Sequence, residues 1–309
     1  MTRPLRLGTR GSALAKAQSN DVADLVRKVA DRDVELVEIV TTGDRSSAPV
    51  AQLGVGVFVS ALRDALLAGE IDFAVHSYKD LPTAPPDGLV IPAVPERADA
   101  RDVLVARDGL ALAELPSGAT VGTGAPRRIA QILALGLGLE CVPIRGNVDT
   151  RIRKVTDGQL DAVVLAAAGL ARLGRITEAT ELIDPMLVLP APAQGALAVE
   201  CRAADTALVA ELAAVDHPAT RAAVTAERAL LAALEAGCSA PVGALAEVTG
   251  EPEDVDQEIY LRGAVIAADG SEAVRLSGAG TPSDAEGIGR RLAATLLDNG
   301  ADSLLGSTR

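Results

Sequence analysis

The chain has 309 residues, with 42 acidic against 29 basic side chains, a formal charge of -13, two Phe, two Tyr and no Trp. A composition that is 49% hydrophobic and 23% charged is globular, with length for two or three cores. The acidic balance and the scarcity of aromatic rings argue against general nucleic-acid binding, which needs basic surface and stacking platforms.

Arg3, Arg6 and Arg10 leave no room for the apolar core of a signal peptide. The longest apolar run, 162–171, is well short of the roughly 20 residues that span a membrane. A soluble cytoplasmic protein is expected. In chain order, residues 5–8 read as a strand, 13–29 as a helix, 34–41 as a strand, 58–67 as a helix and 72–75 as a strand, the alternation of a parallel sheet with crossover helices. The proline-rich segment 81–95 interrupts the pattern and resumes as extended chain, so a boundary is expected at 95–102. A second parallel unit follows, with a strand at 121–122, a helix from Pro126, a strand at 139–144, a helix at 148–155 and a strand at 162–165. Beyond Pro185, Pro190 and Pro192, the run at 195–202 reads as a strand that could return to the first domain. From Pro218 an Ala- and Leu-rich helix runs to about residue 236, stopped by Gly237. Strands at 242–248, 258–266 and 273–276 and a helix at 284–297 close the chain. The expected fold is α/β in three domains. Two are doubly wound, at 1–97 plus 195–215 and at 98–194, and the third, at 216–309, is α+β.

Charge is uneven. Residues 120–175 hold eight basic side chains (Arg127, Arg128, Arg145, Arg151, Arg153, Lys154, Arg172, Arg175) against four acidic ones (Glu140, Asp149, Asp157, Asp161) in a chain that is acidic overall. Guanidinium groups match carboxylates or phosphates bidentately. A solvated basic helix face is the plain alternative. Placement favours a ligand: Arg127 and Arg128 open a helix after a strand and the GTGAP turn, and Arg145 follows a strand and precedes a helix. Ligands of open α/β sheets bind at such strand ends, where helix N-termini add positive potential. Two such sites in one domain suggest a polyanion in a cleft. Gly8-Thr9-Arg10-Gly11-Ser12 is a third strand-to-helix turn, and it fits neither the Walker nor the dinucleotide glycine pattern. His76-Ser77-Tyr78-Lys79-Asp80 is a fourth polar strand end. Asp80 is there either a turn residue or, kept ionised by Lys79, a group that moves a proton or stabilises a cation.

Cys141, Cys201 and Cys238 form no C-x-x-C pair and His76 lies far from His217, so neither a zinc site nor a disulfide framework is expected. Cys141 and Cys201 sit in apolar strand runs and read as small buried hydrophobes. Cys238, in the turn EAGCSAP, reads either the same way or as an exposed, reactive thiol with no base assignable.

Seven ordered segments resemble the hydroxymethylbilane synthase (porphobilinogen deaminase) family: RLGTRGSALA at 6–15, AVHSYKDLP at 74–82, GTGAPRR at 122–128, RGNVDTR at 145–151, DAVVLAAAGLARL at 161–173, AQGALAVECR at 193–202 and GCSAPVG at 237–243. The resemblance implies two domains similar to hinged periplasmic binding proteins and a small α+β third domain. It implies a dipyrromethane cofactor held by a thioether to Cys238, on which four porphobilinogen units are deaminated and joined head to tail before hydroxymethylbilane is cut off. It places the catalytic carboxylate at Asp80, with cofactor contacts from Ser77, Lys79, Asp80, Thr123, Arg127, Arg128, Arg145 and Gly146. Substrate carboxylates are expected on Arg10, Ser12, Gln18, Arg145, Arg151 and Arg172, and a monomer is implied. The chain departs from the family where Gly124, Ala125 and Pro126 replace Ser-Ser-Leu, losing a hydroxyl toward the cofactor. It also has Val55 in place of a lysine in the loop at 43–57, and Ser60 and Ala61 in place of a basic and an acidic residue, while Phe58 is kept. The rival from another class is a non-catalytic receptor for small anions, which needs neither Cys238 nor a third domain. The effector-binding half of a transcription regulator is a weaker rival, because no helical DNA reader precedes the first strand.

Overall fold

The computed structural model describes residues 3–30, 32–40, 59–236, 240–250 and 257–305. It divides into two compact units, Met1–Ala98 with Ala196–Arg221, and Asp99–Gly195 with Ala222–Arg309.

The first unit is built on β1 (Leu5–Thr9), β2 (Val34–Glu38), β3 (Phe73–Ser77), β4 (Leu89–Ala93) and a returning strand at Leu197–Arg202, in the order β2-β1-β3-returning strand-β4. Helix α1 (Ala13–Ala30) buries Val22, Ala23 and Val26, at helical spacing, against Leu5, Leu7, Phe73 and Val75. Helix α2 (Ser60–Leu67) lays Leu62, Ala65 and Leu66 on the opposite face of the sheet with Ile71 and Ala74. Gly8 lets this layer pack closely: a Cβ on it would lie 2.2 Å from Ile71 Cδ1 and the Ile71 side chain would have to shift.

The second unit opens with β5 (Asp102–Ala106) and continues through β6 (Thr120–Gly122), α3 (Pro126–Ala134), β7 (Glu140–Val142), α4 (Val148–Thr156), β8 (Ala162–Ala166), α5 (Ala167–Arg172) and β9 (Glu181–Leu182). Its sheet order is β7-β6-β8-β5-β9. β8 is buried on both faces: Ala162 and Val164 pack with Ile132 of α3, and Val163 and Leu165 with Ile152 and Val155 of α4.

The sheets are mixed, which corrects the expectation of parallel sheets. Three strands run parallel (β2-β1-β3 and β7-β6-β8), and the fourth runs against them, Leu197–Arg202 along β3 and β5 along β8. Both reversed strands adjoin a passage of the chain between units, so connectivity sets their direction. The strand at Leu197–Arg202, β10, does return to the first sheet. α6 (Thr206–Ala213), whose first turn is capped by Asp205 accepting from Leu208 N, has no counterpart among the expected elements.

α7 (Pro218–Ala233), whose first four residues belong to the first unit, leads into an antiparallel sheet of β11 (Val242–Thr249), β12 (Glu258–Ile266) and β13 (Ala273–Gly280), and α8 (Ala285–Asp298) follows it. Ile259, Leu261 and Val265 pack under Leu230 of α7 and Leu292 and Leu296 of α8. The other face, Leu245, Ala264 and Ile266, meets Ala130 and Leu189. Buried Glu227 of α7 joins these layers, its carboxylate accepting from Ala193 N at 2.5 Å and Ala246 N at 2.7 Å. No helix among the described residues is long and apolar enough to cross a membrane.

Candidate functional site

In the first unit the strand ends of β1 and β3 carry the expected residues. Ser12 opens α1, its Oγ accepting from Ala15 N at 3.2 Å, and half-buried Arg10 stands two residues before it. Gln18, six residues further along α1 and buried, donates Nε2–H to Ser77 Oγ at 2.9 Å, so two of the expected residues are in direct contact. After Ser77 the chain enters a single 3-10 turn, Tyr78–Asp80. Tyr78 N donates to Ala196 O at 3.0 Å, Leu81 N donates to Tyr78 O, and Leu81 is buried with Val59 and Ala198. These bonds fix the turn at both ends and leave Asp80 exposed and Lys79 half-buried.

In the second unit the turn after β6 begins with buried Thr123, whose Oγ1 accepts from Ala125 N at 3.3 Å. Gly124 packs closely on the backbone after β7, since a Cβ there would stand 2.9 Å from Ile144 O. Arg127 and Arg128 start α3 but turn inward. Arg127 donates to Asp102 Oδ2 at 2.8 Å and Leu189 O at 2.6 Å, and Arg128 to Asp102 Oδ1 at 2.7 Å and Val164 O at 2.9 Å. Gln194 adds a bond to Asp102 Oδ1 at 2.8 Å. Burial alone would raise the Asp102 carboxyl, but the two guanidiniums outweigh it and hold it well below the usual carboxylate range. Arg145 and Gly146 follow β7, with Gly146 at φ +107°, and Asn147 caps α4 by accepting from Thr150 N at 2.9 Å. Arg151 Nε donates back to Gly146 O at 2.8 Å. Burial and then the like charges of Arg128 and Arg145 push the Arg151 guanidinium below its ordinary value, so these three arginines share one electrostatic neighbourhood. Arg172, on α5, donates to Gly195 O at 3.0 Å.

That set suits a polycarboxylate such as the expected dipyrromethane. Arg128 Nε is buried with no hydrogen-bond partner among the described residues, and Arg151 is crowded by like charge. An anion bound there would satisfy the first and relieve the second. Cys238, the expected attachment point, Val55 and Phe58 lie outside the described residues.

Two acidic residues that sequence patterning did not single out organise these strand ends. Asp102 lies in the apolar run DVLVA, which forms β5 without having been among the expected strands, and Glu200 in LAVECR, which was. Glu200, fully buried, accepts from Arg63 and from His76 Nε2 at 3.1 Å. Burial pushes its carboxyl up, and the bonds from His76 and Arg63 bring it below the ordinary value. The signal was available in principle: a charged residue inside a buried strand requires a buried partner.

Cys201 is buried and its thiol is pushed up to about 11, chiefly by burial. Native protein treated with iodoacetamide at pH 8 is expected to leave Cys201 unmodified until denaturant is added, and peptide mass mapping reads the result. Rapid native labelling of Cys201 would contradict its burial.

A family model described as "Porphobilinogen deaminase, dipyromethane cofactor binding domain" matches residues 5–210, and one described as "Porphobilinogen deaminase, C-terminal domain" matches residues 221–298. The porphobilinogen deaminase of Nocardia farcinica is 61% identical over 305 residues, covering 98% of this chain and 88% of the relative. Porphobilinogen deaminase 1 of Streptomyces coelicolor is 60% identical over 313 residues, covering 98% of each chain. Among solved structures, a periplasmic substrate-binding protein of an ABC transporter from Coxiella burnetii is similar at 14% identity and a TM-score of 0.44, covering 72% of this chain and 96% of that one.

Proposed function

The chain belongs to the porphobilinogen deaminase family, and from that premise we propose how its residues divide the work. The protein is a transferase that deaminates porphobilinogen, joins four units head to tail on a covalently bound dipyrromethane primer and releases hydroxymethylbilane by hydrolysis. When bound, the dipyrromethane supplies the pyrrole terminus to which substrate units are added.

Cys238 holds that group through a thioether. Arg127, Arg128, Arg145, Thr123, Ser77, Lys79 and Gly146 hold its acetate and propionate chains, while Arg10, Ser12, Gln18, Arg151 and Arg172, with Arg145, hold those of the substrate. The observation that supports this division is the buried Arg128 Nε, which has no hydrogen-bond partner among the described residues, together with the like charges of Arg128 and Arg145 acting on Arg151. Loss of ammonia from the substrate leaves positive charge shared with its pyrrole nitrogen. Asp80, exposed at the end of a braced turn, accepts from that N–H and stabilises the charge as it develops. The same proposal takes the chain as three domains, 1–97 plus 195–215, 98–194 and 216–309, supported by a separate core under each sheet. It acts as a monomer in the cytoplasm.

The test is the intact mass of the purified protein beside its Cys238→Ala variant. The parent is expected to carry an increment of two condensed pyrroles, which the variant lacks. Bare masses in both, persisting after incubation with porphobilinogen, would leave a non-catalytic anion receptor as the better account.

A further inference from the structure

The turn that carries Asp80 is anchored through its backbone, through Ser77 and through Leu81, and a further anchor lies one residue before Ser77. In the antiparallel register of β3 and β10, Ala198 lies opposite His76 and Glu200 opposite Ala74. His76, Ala74, Ala198 and Glu200 therefore share the face covered by α2. This is otherwise an apolar layer, with Leu62, Ala65, Leu66 and Ile71 packed against Ala74. Into it the chain places a buried carboxylate, a half-buried arginine and a buried histidine. Arg63 alone would balance the charge, since its Nε bonds Glu200 Oε1 and Oε2, at 3.1 and 3.2 Å, and its Nη2 bonds Oε1 at 2.9 Å. His76 is thus surplus to charge compensation. A carboxylate only accepts, so His76 Nε2 is the donor to Glu200 Oε2. That bond ties the end of β3 to β10 by a side chain, on the face opposite Phe73 and Val75.

We propose that His76 is a positioning residue for the reaction: its hydrogen bond to Glu200, itself held by Arg63, fixes the end of β3 and so sets where the Ser77–Asp80 turn presents its carboxylate. The proposal rests on the assignment of Asp80 made above. A displacement of about 1 Å at a reacting group costs on the order of 10²-fold in rate.

The experiment compares His76→Leu, which removes the donor, with His76→Gln, whose amide reaches the same carboxylate, both as cofactor-loaded full-length protein turning over porphobilinogen. Asp80→Ala is assayed alongside. Glu200 keeps Arg63 in either variant, so both should fold. His76→Leu is expected to lower kcat on the order of 10²-fold with KM changed by no more than about twofold, and His76→Gln to recover most of that loss. If His76→Leu does not fold, His76→Asn, whose amide stops short of Glu200, takes its place. Turnover at the parent's rate in the donor-less variant overturns the proposal, as does an equal loss in both variants that follows the folded fraction. An inactive Asp80→Ala beside an unimpaired His76→Leu removes the role of His76 alone. Normal turnover by Asp80→Ala removes the role of Asp80, and that of His76 with it.

Discussion

Asp80→Ala should fold as the parent does, bind porphobilinogen with a similar KM, and lose about 10³-fold or more in kcat. The fold is expected to survive because Asp80 is exposed and its turn is held by other groups: Gln18 on Ser77, Ala196 on Tyr78, and the packing of Leu81. The rate falls because a fixed carboxylate acts on charge that exists only once ammonia is leaving, so its interaction is stronger in the transition state than with bound substrate. Asp80→Asn separates shape from charge. It keeps a hydrogen-bond acceptor at the same place but cannot offset a cation, and it should be nearly as slow as the alanine variant. Steady-state turnover of cofactor-loaded protein measures this. A kcat within a few-fold of the parent in either variant would take Asp80 out of the chemistry.

The strand ends were legible in the sequence because apolar alternation and helix starts mark them locally. β3 was expected at 72–75 and lies at Phe73–Ser77, and the helix expected from Pro126 begins there, where a proline lacking its N–H is tolerated. Strand direction was not legible. Nothing in DVLVA or LAVECR distinguishes a parallel from an antiparallel neighbour, and only the path of the chain between units reverses them. For the candidate site, the arginines could be located but not their counter-ions. Arg127 and Arg128 read as groups aimed at a ligand or at solvent, whereas both grip Asp102, which lies more than twenty residues earlier in an apolar run. Pairing at that separation is a property of the sheet order, with β5 beside β8, and the order is set by tertiary packing rather than by local pattern. The pairing of Glu200 with Arg63 and His76 is equally non-local.

Asp102→Asn should be the most destabilising single change among the charged residues discussed. The parent carboxylate is fully buried and accepts from Arg127, Arg128 and Gln194. The variant leaves two buried guanidiniums facing each other without a counter-charge. Removing one partner of a buried ion pair costs about 3–5 kcal/mol, which in a chain of this size lowers the unfolding midpoint by something on the order of 10 °C. A control is Glu286→Gln, which breaks the surface pair with Arg290 on α8 and should change stability by no more than about 1 kcal/mol. The pH dependence follows from the direction of the shift. The folded-state Asp102 carboxyl lies below its unfolded value, so its contribution is complete above the ordinary carboxylate pKa of about 3.9 and is lost as the pH falls through the folded-state value. The gap in thermal midpoint between parent and Asp102→Asn should therefore be constant from neutral pH down to about 5 and narrow below that. Glu200, also depressed, adds to the parent's acid sensitivity but is common to both proteins and does not alter the gap. Thermal unfolding followed by circular dichroism at several pH values measures it. A gap that is small at neutral pH would mean that Arg127 and Arg128 readily find other partners once the Asp102 carboxylate is gone, and that the buried ion pair contributes little to stability.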